Sequence, residues 1–158
     1  MKLYDELRAV VDALTRANVP FAICGGLAVA LHGYVRATKD IDLVVLEADV
    51  DQARSSVKAV GFSLAALPMT FDKGTPRERV VHRISKIEGD DHLVLDLIVV
   101  SPDRLGDVWA DRQAIEWQGV RLDVVSRRGL YRMKRDAGRD QDLLDLKNLG
   151  LEEEPDSA

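Results

Sequence analysis

The stretch from residue 21 to residue 46, FAICGGLAVALHGYVRATKDIDLVVL, constrains the fold more than any other part of the chain. A short apolar run ends at the glycine pair Gly25 and Gly26, and an alanine-rich amphipathic segment follows. A polar loop then leads into a second apolar run that opens with Asp40 and Asp42. This order predicts a strand, a glycine turn, a helix, a loop and a second strand. We therefore expect an α/β (α+β) fold with a mixed central β-sheet flanked by helices.

The two aspartates and the two glycines together suggest a particular chemistry. Side chains alternate along a strand, so Asp40 and Asp42 project from the same face of the sheet. Carboxylates held this close repel each other unless a cation such as Mg²⁺ neutralises them. At Gly25 and Gly26 the backbone can approach a ligand because there is no Cβ, and the start of the following helix favours an anion. The pattern predicts a site for a nucleoside triphosphate.

A glycine pair, thirteen intervening residues and DID followed by LVV resemble the signature of the DNA polymerase β-like nucleotidyltransferase superfamily. Within that superfamily, GGLAVALHG and RATKDIDLVV are most similar to the AbiEii-like group, many of which are toxins of toxin–antitoxin pairs. The commoner superfamily form has Gly-Ser where this chain has Gly25-Gly26, which removes a hydroxyl contact to phosphate. The resemblance implies transfer of a nucleotidyl group from NTP to a hydroxyl, with release of pyrophosphate and with two Mg²⁺ ions required.

A third carboxylate lies inside the apolar run at residues 92–100, HLVLDLIVV, which predicts a central strand that is buried on both faces. Asp96 is costly there unless it is paired or bound to metal. The superfamily resemblance calls for a third carboxylate on a neighbouring strand, and Asp96 fits it. In that role Asp96 joins Asp40 and Asp42 around the metal ions and takes the proton from the attacking hydroxyl. A structural ion pair is the alternative for Asp96.

Two groups of polar residues could contact the nucleotide. Arg36, Thr38 and Lys39 come directly before the carboxylates, where they are either ordinary loop residues or phosphate contacts, since arginine can bind phosphate through two hydrogen bonds. Residues 126–139 contain six basic residues against one acidic residue. Such a run is either a solvated helix face or a surface for the triphosphate or an RNA-like acceptor. The resemblance implies that Lys134 faces the nucleotide.

Hydrophobic periodicity and turn residues predict the other elements. The predicted helices are residues 3–18, 27–31, 49–60, 103–111, 126–139 and 140–149, and the further strands are 62–67, 80–87, 114–118 and 120–125. Residues 68–78 are expected to form a loop at the sheet edge. We expect His32 to form a hydrogen bond near a helix end rather than to bind metal, and Leu143 and Leu146 to face inward.

Composition narrows the class of protein. The chain has 158 residues, which predicts one domain over residues 1–150 and an acidic, disordered tail over residues 151–158. The net charge of −5 argues against general coating of nucleic acid. Cys24, the single cysteine, is expected to be buried in a reducing cytosol. Neither a membrane span of about 18 apolar residues nor a signal peptide is evident, so we expect a cytoplasmic protein without a membrane partner.

Three functions are compatible with these residues. The first is a nucleotidyltransferase whose acceptor is tRNA or a protein, with a cognate antitoxin as partner, as the resemblance implies. The second is a non-catalytic nucleotide-binding or partner-binding module on the same fold. The third is a small antibiotic-modifying enzyme like kanamycin nucleotidyltransferase, and we expect the lack of an obvious second substrate domain to count against it.

Overall fold

The computed structural model describes residues 1–156, and the elements follow the order that the sequence predicts. The helices are α1 (Leu3–Arg16), α2 (Gly25–Leu31), α3 (Val50–Lys58), α4 (Gly106–Ala110), α5 (Arg127–Ala137) and α6 (Asp140–Asn148). The strands are β1 (Ala22–Cys24), β2 (Asp40–Leu46), β3 (Leu64–Ala65), β4 (Met69–Phe71), β5 (Arg79–Glu88), β6 (Asp91–Val100), β7 (Gln113–Trp117) and β8 (Val120–Val124). A single 3-10 turn, Glu47–Asp49, leads into α3.

The strands form one mixed sheet in the order β3-β5-β6-β2-β1-β8-β7, and β4 also pairs with β5. Strand β2 runs parallel to β6, and β1 runs parallel to β8. The other neighbours are antiparallel, including β1 with β2 and β5 with β6. The predicted α/β fold with a mixed central sheet flanked by helices is therefore confirmed.

The core lies around the two central strands, β2 and β6. The residues that alternate with the aspartates on these strands are fully buried: Ile41, Leu43, Leu95 and Leu97. Each such side chain contributes about 1.5–3 kcal/mol of burial free energy. Helices α1 and α3 pack on each other and against β2, whereas α5 packs against α2, α4 and α6. Helices α1 and α3 thus hold β2 in place through its apolar side chains. This packing fixes the position of its polar face.

Two predictions about local structure are wrong. Residues 68–78 include a short strand, β4, because Met69 and Phe71 find partners on β5 that the local sequence does not reveal. In α6, Leu146 is buried as predicted, but Leu143 is 50% exposed. The inward positions of α6 are taken instead by acidic side chains that form ion pairs with α5, and these pairs set the rotation of the helix.

Two further predictions concern His32 and the tail. His32 ends α2, and its Nε2 lies 2.7 Å from the carbonyl oxygen of Val125, so the predicted hydrogen bond is present. In the predicted acidic tail, Leu151 is buried in the core and Glu154 pairs with Arg132; the disorder expected of residues 151–158 stays a prediction. Residues 157 and 158 of that tail lie outside the described residues. No helix in residues 1–156 is long and apolar enough to cross a membrane.

Candidate active site

One row of residues crosses the sheet at the candidate site. Cys24 on β1 is opposite Asp42 on β2, Asp42 is opposite Asp96 on β6, and Asp96 is opposite Arg83 on β5. Because neighbouring strands in register point opposed side chains to the same face, about 4.8 Å apart, Asp42 and Asp96 are adjacent. Asp40 precedes Asp42 by two residues and lies on that face too. The structure therefore places the three predicted carboxylates on one face of the sheet.

The electrostatics of this row centre on Asp42. Burial, then the negative charges of Asp96 and Asp40, raise the pKa of Asp42 to about 7, while Lys134 and Arg139 act in the opposite direction. Near neutral pH this carboxyl group is only partly ionised in the free protein. A cation placed beside it would replace the proton, because its positive charge offsets both the burial and the repulsion that raise the pKa.

Asp96 has a partner that the sequence did not reveal. The guanidinium group of Arg83 donates through Nε to Oδ1 and through Nη2 to Oδ2 of Asp96, each at 2.9 Å. These contacts raise the pKa of Arg83 above its usual range. Within residues 1–156, no three acidic, histidine or cysteine side chains are grouped closely enough to hold a metal ion. The structural ion pair, which was the alternative for Asp96, is thus present in this structure.

The glycine pair makes room for side chains of the site. Gly25 has a left-handed φ of 64°, and a Cβ there would lie 2.2 Å from Oδ2 of Asp42. A Cβ on Gly26 would lie 2.7 Å from Oγ1 of Thr38 and 3.1 Å from Nη2 of Arg36. Any larger residue would collide with a predicted site residue, so the glycines are required for the close approach of the polar loop and β2 to the start of α2.

A buried ionic network connects the polar loop to α5 and α6. Asp145 is fully buried, and Arg36 donates to its two oxygens at 2.7 and 2.9 Å. Lys134 Nζ lies 2.9 Å from Asp145 and 3.4 Å from Asp142, which is buried as well. Burial alone would raise the pKa of Asp145, but the hydrogen bonds from Arg36, Lys134 and Gln141 hold it below its usual value. Arg36 and Lys134 are therefore held by carboxylates, whereas the resemblance implied that Lys134 faces the nucleotide, and Arg36 was expected to be either a loop residue or a phosphate contact.

A cavity of about 670 Å³ lies over the sheet face that carries the carboxylates. This volume is typical of small-molecule sites. All the predicted site residues line it: Gly25, Gly26, Arg36, Thr38, Lys39, Asp40, Asp42, Asp96 and Lys134. The opposite part of its lining comes from β4 and β5, including Phe71, Arg79 and Arg83, and none of these was predicted. The turn residues Gly89 and Asp90 between β5 and β6 could have indicated Arg83, because a two-residue hairpin loop fixes the register that sets Arg83 opposite Asp96.

Comparison with known proteins identifies relatives of this chain by family and by fold. The sequence matches the aminoglycoside-2''-adenylyltransferase family over residues 6–149. A crystal structure of ANT(2")-Ia in complex with adenylyl-2"-tobramycin shares the fold with a TM-score of 0.58 and 15% identity, over 90% of this chain and 84% of that chain. The crystal structure of lincomycin-bound LnuA, a lincosamide antibiotic adenylyltransferase, has a TM-score of 0.57 and 15% identity, over 94% of this chain and 97% of that chain. The crystal structure of TM1012 from Thermotoga maritima has a TM-score of 0.59 and 18% identity, over 93% of this chain and 91% of that chain. No curated protein matches the sequence.

The fold and the family match together define a nucleotidyltransferase. More narrowly, the chain belongs to the aminoglycoside-2''-adenylyltransferase family. The resemblance to the nucleotidyltransferase superfamily is thereby confirmed, whereas the AbiEii-like assignment stays a prediction. We expected the lack of a second substrate domain to count against an antibiotic-modifying enzyme. That expectation is wrong, because this chain covers most of the length of ANT(2")-Ia and of LnuA.

Proposed function

We propose that this protein transfers a nucleoside monophosphate from a nucleoside triphosphate to a hydroxyl acceptor, releases pyrophosphate and depends on Mg²⁺. One observation carries the proposal: Asp42 and Asp96 are neighbours on one sheet face, with Asp40 beside them and Gly25 against Asp42. Acidic groups crowded in this way favour a cation, and the cavity above them has room for a nucleotide.

Asp40 and Asp42 are the residues that would hold the metal ion. Mg²⁺ is commonly bound by one or two carboxylates together with substrate phosphates, so this pair suffices for one ion. When bound, the ion would neutralise the charge of the phosphates and stabilise the leaving pyrophosphate. Asp96 is the candidate for a third ligand and for the base that accepts the hydroxyl proton. Because Arg83 holds both its oxygens, two ions would require Asp96 to exchange that partner.

The residues proposed to bind the nucleotide surround the glycine turn: Gly25, Gly26, Arg36, Thr38, Lys39 and Lys134. Lys39 is exposed at the cavity and is the cation best able to move onto a phosphate. Lys134 is buried, and its charge lowers the pKa of Asp42 against the larger effect of burial. Arg36 is held by Asp145, so its proposed role is to fix the loop that carries Lys39.

For the acceptor we propose a chemical class. Family membership favours an aminoglycoside hydroxyl, and the LnuA likeness adds a lincosamide as a candidate. A tRNA or protein acceptor with a cognate antitoxin follows from the AbiEii-like resemblance alone. A cytoplasmic location is proposed because Cys24 is a free, buried thiol, as is usual in reducing compartments.

Label transfer tests the proposal. The protein is incubated with Mg²⁺, α-labelled NTPs and an acceptor panel of tobramycin, lincomycin and an RNA-plus-protein extract. We expect label on one acceptor, equimolar pyrophosphate, and a loss of at least about a hundredfold in Asp42→Asn. Asp90→Asn, the same change in an exposed turn, should behave as the wild type. Equal labelling by the wild type and Asp42→Asn would refute the proposal.

The ion pair between Arg83 and Asp96 favours a second candidate, a non-catalytic nucleotide-binding module. In this case the carboxylate that would act as base is permanently neutralised. Calorimetry separates the two candidates, because tight binding of an NTP with no transfer to any member of the panel supports the module. Transfer that persists at the wild-type rate in Arg83→Gln would instead show that the ion pair does not suppress catalysis.

A further inference from the structure

Arg83 uses only part of its guanidinium group in the ion pair with Asp96. Nε and Nη2 donate to the two carboxylate oxygens, and an arginine carries further N–H donors on Nη1. Within residues 1–156, the side chain of Arg83 has no other hydrogen-bond or ion-pair partner. Because the guanidinium group is planar and rigid, Nη1 projects away from the carboxylate. The pair therefore keeps free donors at the wall of the cavity that Arg83 lines.

This guanidinium group lies next to the carboxylates that are proposed to bind the metal ion. Asp96 is opposite Arg83 on one side and opposite Asp42 on the other, so the three side chains share the cavity face of the sheet. The hydrogen bonds to Asp96 raise the pKa of Arg83, burial acts in the opposite direction, and the charges of Asp40 and Asp42 add to the rise. Arg83 is therefore within electrostatic reach of all three carboxylates.

The pairing with Asp96 also decides which substrates can approach Arg83. An arginine without a carboxylate beside it would repel a cationic acceptor such as an aminoglycoside. The Arg83–Asp96 pair has no net charge, while its free N–H groups can still donate to a phosphate oxygen. The side chain of Arg83 is 44% exposed and that of Asp96 is 11% exposed, so the arginine is the accessible member of the pair. The pair thus offers hydrogen bonds to a nucleotide without excluding the acceptor class that family membership favours.

The proposed reaction places the transferred phosphate over the gap between β2 and β6. The metal ion is assigned to the carboxylates of β2 and the hydroxyl proton to Asp96 on β6, so the phosphorus must lie between them. In the transfer, the hydroxyl oxygen bonds to phosphorus, the bond from phosphorus to pyrophosphate breaks, and Asp96 takes the hydroxyl proton. Neighbouring strands are about 4.8 Å apart, so a phosphate over this gap is within reach of the guanidinium group that is bonded to Asp96.

We propose that Arg83, held in place by Asp96, donates hydrogen bonds from Nη1 to a non-bridging oxygen of the phosphate that is transferred. This inference rests on the proposed function, because it adds a residue to the same site. Asp96 fixes the plane of the guanidinium group through its two hydrogen bonds. Arg83 then stabilises the charge on the phosphate oxygens in the transition state, without any movement of the pair.

Stereochemistry at the transferred phosphorus tests the inference. ATP is supplied as either of the two isomers that carry sulfur in place of one non-bridging oxygen of the α-phosphate, and the rate of label transfer is measured for each. Sulfur accepts hydrogen bonds weakly, so only the isomer with sulfur at the oxygen facing Arg83 loses this contact. We expect Arg83→Gln to change the ratio of the two rates at least about tenfold, and to lower the rate with ordinary ATP at least about a hundredfold.

Two further variants separate this role from a structural one. Arg83→Lys keeps a charge that can pair with Asp96, but a lysine lacks the planar fork that can bond to a carboxylate and a phosphate together. It should change the isomer ratio at least about fivefold, which keeps the test valid if Arg83→Gln fails to fold. Arg104→Gln is the matched control, because it also breaks an arginine–carboxylate ion pair, with Glu78 at 3.1 Å, outside the cavity lining. It should keep the rate and the isomer ratio of the wild type.

An isomer ratio that is the same in the wild type, Arg83→Gln and Arg83→Lys would overturn the inference, and so would an equal change in Arg104→Gln. Calorimetry with a non-hydrolysable ATP analogue and Mg²⁺ distinguishes this result from failure of the proposed function. If the wild type transfers no label but binds the analogue at least about fivefold more tightly than Arg83→Gln does, transfer is refuted and the phosphate contact of Arg83 stands. If neither the affinity nor the rate depends on Arg83, the contact is absent.

Discussion

Replacing Asp42 by asparagine is expected to stabilise the free protein at alkaline pH. Burial, followed by the charges of Asp96 and Asp40, raises the pKa of Asp42 from 3.8 to about 7. In the unfolded chain this carboxyl group ionises near pH 4, so between about pH 4 and pH 7 the folded state keeps a proton that the unfolded state has lost. The free energy of unfolding must therefore fall as the pH rises through this window.

The size of the effect follows from the same values. Each pH unit in the window lowers the free energy of unfolding by about 1.4 kcal/mol. The rise in the pKa of Asp42 from 3.8 to about 7 therefore corresponds to a loss of stability of at most about 4 kcal/mol. An asparagine at position 42 keeps the size of the side chain and removes the charge, but incomplete hydrogen bonding of its amide offsets part of the gain. We expect Asp42→Asn to be more stable than the wild type by about 1–3 kcal/mol at pH 8.5 and by about zero at pH 4.5.

Urea denaturation in EDTA at several pH values measures this difference. Asp90→Asn is the matched control, because Asp90 lies in the exposed turn between β5 and β6 and its replacement should change stability by less than about 0.5 kcal/mol. A gain that is the same at pH 4.5 and pH 8.5, or a loss at pH 8.5, would show that Asp42 is not held in a repulsive environment. The crowding of carboxylates from which the metal site is inferred would then be absent.

Three further predictions concern the ionic network and the glycine turn. Asp145→Asn should lower the free energy of unfolding by about 2–4 kcal/mol, because Arg36 loses its carboxylate partner and the buried Lys134 keeps only Asp142, at 3.4 Å; a loss below about 1 kcal/mol relative to the exposed control Asp140→Asn would contradict this. Gly25→Ala should lose about 2–4 kcal/mol through its left-handed φ and its clash with Asp42. Adding Asp42→Ala should restore part of that loss, and strict additivity would count against the clash. Lys39→Gln should raise the Kd of a Mg²⁺–ATP analogue about tenfold in calorimetry, and an unchanged Kd would exclude Lys39 from the nucleotide site.

Much of the fold could be predicted because its signals are local. A glycine pair between two short apolar runs marks a turn whatever the rest of the chain does, and alternation on β2 fixes the face that Asp40 and Asp42 share. The long apolar run around Asp96 marks a central strand. These features place two carboxylates on one strand and a third on a central strand, whereas the superfamily resemblance alone implied that the two strands are neighbours.

The remaining features depend on contacts between distant parts of the chain. Arg83 and Asp96 meet because β5 pairs with β6 in one particular register, and a shift by one residue would separate them. The burial of Asp145 depends on Arg36, which is 109 residues away in sequence. A period-based rule assigns leucines to the inward face of a helix, and in α6 it holds for Leu146 but fails for Leu143, because Asp142 and Asp145 occupy inward positions through their ion pairs. Arg79 gives no local signal, since its place in the cavity lining is visible only when the strands are assembled.

Electron paramagnetic resonance of Mn²⁺ tests most directly whether Asp40 and Asp42 hold a divalent cation beside a nucleotide. Free Mn²⁺ is titrated with the protein in the presence and absence of a non-hydrolysable ATP analogue. We predict that the protein–nucleotide complex binds Mn²⁺ more tightly than the analogue alone, and that Asp42→Asn abolishes the difference while Asp90→Asn keeps it. Equal Mn²⁺ binding by the wild type and Asp42→Asn would contradict the assignment of the metal site.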